Sequence, residues 1–113
     1  MSGITTHVLD TSRGRPAAGV TVTLEIEAAG GWRAVGKGIT NADGRVTDLL
    51  AGETAFGAGV YRLVFDTGAY FAAHDIQSFY PQVTVVFKIE DAGQHYHVPL
   101  LLNPFGYSTY RGS

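Results

Sequence analysis

Apolar and polar residues alternate with a period of two along most of this chain, so strands are the expected elements. Over residues 20–27, Val20, Val22, Leu24 and Ile26 fall on one side and Thr21, Thr23, Glu25 and Glu27 on the other. That is the pattern of a strand with one buried and one wet face. It returns over 60–65, with Tyr61, Leu63 and Phe65 together, and over 83–90, with Val83, Val85, Phe87 and Ile89 inward. Residues 4–9, 32–40, 95–102 and 107–111 and a short segment over 45–50 complete eight predicted strands. Turn residues punctuate them: Asp10 to Pro16 after the first strand, Ala28-Ala29-Gly30-Gly31, Asn41-Ala42-Asp43-Gly44, Asp91-Ala92-Gly93-Gln94 and Asn103-Pro104-Phe105-Gly106. Residues 51–59 read as a loop. The alanine-rich stretch 69–74 is the one predicted helix, with Asp66 and Thr67 as possible caps. Strands at this spacing predict an all-β sandwich, and a barrel is the alternative architecture.

At 113 residues the chain suits a single domain over 1–113 and buries enough surface to stand without staples. There is no cysteine, which excludes a disulfide scaffold, a thiol nucleophile and a thiolate metal site. The net charge is −2 and the eight Lys and Arg residues are scattered, so nothing points to nucleic acid. The N-terminus lacks a basic start and an apolar core, and no apolar run is long enough to span a bilayer. These features lead to the expectation of a cytoplasmic protein with no membrane partner.

Chemistry concentrates on His95-Tyr96-His97. Residues two apart on a strand share a face, so both imidazoles project away from Tyr96, Val98, Leu100 and Leu102. If that apolar set faces the core, the histidines lie on the outer face of the sandwich, accompanied by Pro99 and Leu101. An outer face that is part polar and part apolar suggests a covered surface, such as a subunit interface. Imidazole is the side chain best matched to proton transfer near neutral pH. His7 on the first strand and Arg45 after the Asp43-Gly44 turn are each weak signals alone, and His74 reads as structural. Zinc ligation by three histidines is conceivable, but the spacing is unspecific and no carboxylate sits beside the pair. The chain closes on Tyr110-Arg111-Gly112-Ser113, a phenol, a guanidinium and a carboxylate at the end of a strand-forming segment. A structural edge strand and the wall of a site are both open readings of it.

Four separated motifs carry a resemblance. They are Thr6-His7-Val8-Leu9-Asp10-Thr11 with Gly14, Pro16 and Ala17, the Thr40-Asn41-Ala42-Asp43-Gly44-Arg45 turn, His95-Tyr96-His97-Val98-Pro99-Leu100-Leu101, and the terminal tetrapeptide. Together they resemble the transthyretin-related 5-hydroxyisourate hydrolase family of urate breakdown over nearly the whole chain. The resemblance implies a transthyretin-like (prealbumin-like) sandwich of two four-stranded sheets with a short helix after the fifth strand. It implies a homotetramer, a dimer of dimers with sites in the channel between dimers. It also implies a catalytic set of His7, Arg45 and His97, with Tyr110, Arg111, Gly112 and Ser113 around the substrate. The matching His95 receives no catalytic role.

The implied reaction is hydrolytic opening of 5-hydroxyisourate at its N1–C6 amide bond, giving 2-oxo-4-hydroxy-4-carboxy-5-ureidoimidazoline. Such a step needs water made nucleophilic, donors where the carbonyl oxygen gathers charge, and a proton for the departing nitrogen. His7 and His97 are the candidates for proton transfer and Arg45 for holding the ring and the oxyanion. The scheme calls for no metal and no organic cofactor. The rival reading from the same resemblance is a small-ligand carrier of this fold without catalysis.

Overall fold

Strand β1 (Gly3–Asp10) is the spine of one sheet because its faces differ sharply: Ile4, Thr6, Val8 and Asp10 are buried, and Thr5, His7 and Leu9 are only partly covered. The structure, a computed structural model, describes residues 3–47, 49 and 57–112. Its further elements are β2 (Arg15–Pro16), β3 (Thr21–Ala28), β4 (Gly31–Ile39), β5 (Arg45–Val46), β6 (Gly59–Phe65), α1 (Thr67–Ala73), β7 (Val83–Ile89), β8 (His95–Asn103) and β9 (Gly106–Thr109). The sheet around β1 runs β2-β1-β8-β9, with β5 also pairing β1, and the facing sheet runs β4-β3-β6-β7. Pairing is antiparallel throughout except between β1 and β8, which lie parallel. The expected sandwich with one helix is what forms.

The inward faces are those that alternation marked. Val22, Leu24, Leu63, Phe65, Val83 and Ile89 from one sheet meet Ile4, Val8, Val98, Leu100 and Leu102 from the other in one apolar core. Burying such side chains contributes roughly 1.5–3 kcal/mol each and is the main reason the sheets close face to face. The Leu24/Glu25 bulge between β3 and β4 shifts the register there, leaving Ile26 only partly buried. Among the described residues no helix is long and apolar enough to cross a membrane.

Several details differ from the sequence expectation. Residues 10–16 do not simply end the first strand, because Arg15 and Pro16 turn back to pair with Asp10 and Leu9, which adds β2 and makes this sheet five-stranded. Among the described residues of the segment predicted over 45–50, Arg45 and Val46 are those that pair with β1. Its continuation packs against β4, where a side chain on Gly36 would collide with the Leu49 carbonyl. The helix starts at Thr67, two residues earlier than predicted, because the Asp66 carboxylate accepts from the Ala69 N–H and caps it. Most of the predicted 51–59 loop and Ser113 lie outside the described residues.

Asp10 ties the helix to the sheet. Its buried carboxylate accepts from the Ser12 N–H and hydroxyl, the Arg13 N–H and, at 2.8 Å, the Tyr70 hydroxyl. Burial pushes the carboxyl up, but the bonds from Ser12, Tyr70 and Arg13 together outweigh it, and its pKa lies below 3.8. Tyr70 is correspondingly pushed up by burial and by its bond to Asp10, and stays protonated.

Candidate active site

The Asn41–Gly44 turn decides where Arg45 stands. Asn41 Oδ1 accepts from the N–H groups of Asp43 and Arg45, and the Gly44 N–H returns to the Asn41 carbonyl. Gly44 has φ +75°, a conformation that favours glycine, and its carbonyl accepts from the Val8 N–H at 2.7 Å. A side chain there would run into the Val8 carbonyl. The turn therefore docks flush on β1 and delivers Arg45 directly opposite His7. Thr6 and Val46, the next pair, are buried, so His7 and Arg45 share the outer face.

The parallel pairing of β8 with β1 brings the histidine pair to the same place. Thr5 stands opposite His97, Gly3 opposite His95, and His7 opposite Pro99. Tyr96, Val98, Leu100 and Leu102 are buried, as expected, while His95 is exposed and His97 half-buried on the outside. Thr5 joins the two rings: its Oγ1 lies 2.9 Å from His95 Nε2 and 2.8 Å from His97 Nδ1. Sequence reasoning did not single out Thr5. The available signal was its place two residues before His7, hence on the same strand face.

His97 is an imidazole held neutral. Burial pushes its pKa below 6.5, the nearby Arg45, His7 and His95 push it further, and a backbone hydrogen bond at Thr5 acts the other way. A neutral ring beside a permanent guanidinium can take a proton from water while the guanidinium faces developing negative charge. Three of the residues singled out from sequence, His7, Arg45 and His97, thus come together from three strands separated by up to 90 positions in the chain.

The C-terminal stretch is divided between the two sides of β8. Pairing of β9 with β8 continues past Thr109 to a bridge between Gly112 and His97, where the Gly112 N–H donates to the His97 carbonyl at 2.8 Å. Gly112 also packs against Pro99, which is buried although it shares the histidine face. Arg111 points the other way. Its guanidinium lies 4.4 Å from the centre of the buried Tyr96 ring and donates to Gln94 Oε1 and the His95 carbonyl. Tyr110 is exposed, and Ser113 lies outside the described residues. His74 packs edge-on against Tyr70.

Two concavities lie elsewhere. One, of about 290 Å³, is lined by Val85, Phe87, Tyr96, Val98, Tyr110 and Arg111 between the edges of the two sheets. The other, of about 310 Å³, is lined by Arg13, Arg15, Pro16, Tyr70 and His74 among others. The imidazole and guanidinium cluster itself stands on an open sheet face. Among the described residues no group of three or more His, Asp or Glu side chains is arranged to hold a metal ion.

A transthyretin-type sandwich with imidazoles and an arginine gathered on one outer sheet face defines the class. The chain belongs to the HIUase/Transthyretin family, whose model matches residues 4–112. It is similar to the 5-hydroxyisourate hydrolase of Halalkalibacterium halodurans, with 50% identity over an alignment of 119 residues that covers 100% of both proteins. Among solved structures it resembles Klebsiella pneumoniae 5-hydroxyisourate hydrolase, with a TM-score of 0.85 and 41% identity over 97% of this chain and 98% of that one. It also resembles sea bream transthyretin in complex with thyroxine, with a TM-score of 0.89 and 35% identity over 96% and 93%. Backbone similarity is therefore no guide to activity within this family, and sequence identity favours the hydrolases.

Proposed function

We infer that this protein is a 5-hydroxyisourate hydrolase, which opens the N1–C6 amide bond of its substrate in urate catabolism. The observation that carries the reading is the agreement between identity and site. A relative named as a hydrolase matches at 50% along the whole chain, and the outer sheet face of this chain gathers His7, Arg45 and His97.

The division of labour follows from position and charge. His97 takes a proton from water, and the resulting hydroxide adds to the C6 carbonyl. Arg45 holds the oxygen as it becomes negative, through a fixed fork of donors. His7, opposite Arg45 on β1, orients the ring and assists the proton transfer that frees N1. Of the terminal residues, Gly112 sets the position of His97 and Tyr110 walls the substrate, whereas Arg111, over Tyr96 on the far side of β8, holds the terminal segment to the strand. The whole chain acts as a single domain, and four copies assemble as a dimer of dimers that covers the open outer face and excludes bulk water. Its proposed place of work is the cytoplasm.

The test is the ultraviolet decay of freshly generated 5-hydroxyisourate with and without enzyme. Decay well above the spontaneous rate is expected. Decay at the spontaneous rate, with tight thyroxine binding by calorimetry, would replace the hydrolase by a carrier. Sedimentation equilibrium checks the tetramer, and a monomer would leave the site uncovered and overturn that part.

A further inference from the structure

A hydroxyl group has one proton to give and lone pairs to accept with. Thr5 Oγ1 stands within hydrogen-bond distance of His95 Nε2 and His97 Nδ1, which makes it a junction between two titratable rings. When it donates to one ring nitrogen, that nitrogen is bare. When it accepts from the other, that nitrogen carries a proton. As long as both bonds are kept, the two nitrogens cannot both be bare, because the hydroxyl has only one proton to give.

We propose that Thr5 is a positioning residue of the hydrolase: its hydroxyl holds His97 as the Nδ1–H tautomer, with Nε2 bare for the proton of water, and offers its own proton to His95 Nε2. This rests on the hydrolase reading. The direction follows from what each nitrogen has left. Among the described residues Thr5 is the partner of the His97 ring, so Nδ1 is occupied and Nε2 is the atom free to work. A base at Nε2 requires the proton on Nδ1, which then donates to Oγ1. The hydroxyl proton goes to His95 Nε2, and the exposed His95 keeps its own proton on Nδ1. In a histidine the state of one nitrogen is set by the bond the other makes.

The same junction gives His95 a task although it does not touch the substrate. A proton on His95 Nε2 makes that atom a second donor toward Oγ1, and the hydroxyl then either accepts from both rings or turns its own proton to His97 Nδ1, in which case the His97 proton sits on Nε2 and that atom is no longer a base. The charged and titratable groups facing His97 are Arg45 from β5, His7 from β1 and His95 on its own strand, and all three disfavour a positive charge on it. Arg111 lies on the far side of β8, over Tyr96.

The experiment compares wild type with Thr5→Val, Thr5→Ala and Thr5→Ser. Nitrogen-15 shifts of the imidazoles at about pH 8, above the ordinary imidazole range, should show wild-type His97 as Nδ1–H, and the Nδ1–H population should fall in the Val and Ala variants. Thr5→Ser should keep it. Turnover of 5-hydroxyisourate should fall about tenfold or more without the hydroxyl, a fraction of the roughly 10²–10⁴-fold that a positioned proton-transfer group contributes, and stay within about threefold in Thr5→Ser. Wild-type turnover and unchanged tautomers in both hydroxyl-free variants would overturn the proposal. So would a wild-type His97 found as Nε2–H. An inactive wild type would sink the hydrolase reading alone, since the tautomers still decide the role of Thr5.

Discussion

Gly112 and His97 touch so closely that only a hydrogen fits between them: a methyl group on Gly112 would lie 2.6 Å from His97 Cδ2 and 3.3 Å from Cγ. The same glycine donates its N–H to the His97 carbonyl. The terminal segment thus braces the ring and the strand that carries it. Gly112→Ala must push the imidazole aside or break the bridge. A displacement of about 1 Å can cost on the order of 10²-fold in rate. A loss of that size is expected with little change in the urea midpoint, since the residue lies outside the core. An active Gly112→Ala enzyme would show that the contact does not position the ring.

His97 sets the acid limb of the pH profile. Its pKa is held below 6.5, first by burial and then by Arg45, His7 and His95. The neutral base therefore survives below the ordinary histidine range, and kcat/KM should stay flat as pH drops past 6.5 before it falls. For stability the sign is opposite to a benefit: the folded ring resists the proton that the unfolded chain accepts. His97 contributes nothing above 6.5 and destabilises progressively as pH falls from 6.5 through its folded value. In urea titrations across that window wild type should lose stability relative to His97→Gln as pH falls.

Arg45→Ala removes both the oxyanion donors and the second-largest cause of the low His97 value. A rate loss of about 10²–10³-fold is expected, the range for deleting one preorganised donor. The acid limb should move to higher pH at the same time. A simple substrate-binding role would raise KM and leave the limb where it was.

Asp10→Asn should weaken the fold and spare the chemistry. The wild-type carboxylate accepts from Ser12, Arg13 and Tyr70, and an amide in its place leaves buried donors poorly matched, at about 1–3 kcal/mol. Because the folded pKa lies below 3.8, the stabilisation is present above 3.8 and lost as pH falls through the folded value. Urea unfolding at neutral pH measures the loss. Turnover per folded molecule should be unchanged, since Asp10 faces the core and not the outer face.

What the sequence by itself determined is the set of local choices. Period-two alternation marked the buried faces of β3, β6, β7 and β8 because a strand sends successive side chains to opposite sides whatever it pairs with. It also placed His95 and His97 away from the core, and the glycine and asparagine signals located the turns. Tertiary structure alone decided which strands lie side by side. The parallel register of β1 on β8 puts Thr5 against His97, the docked turn puts Arg45 against His7, and the continued β9 register sends Arg111 to Tyr96 and leaves Gly112 on the imidazole. Alternation is the same for any partner and almost any register shift of two, whereas pairing is selected by the closing of the whole core. The residue types of the site were therefore visible in the chain, and its hydrogen-bond junction was not.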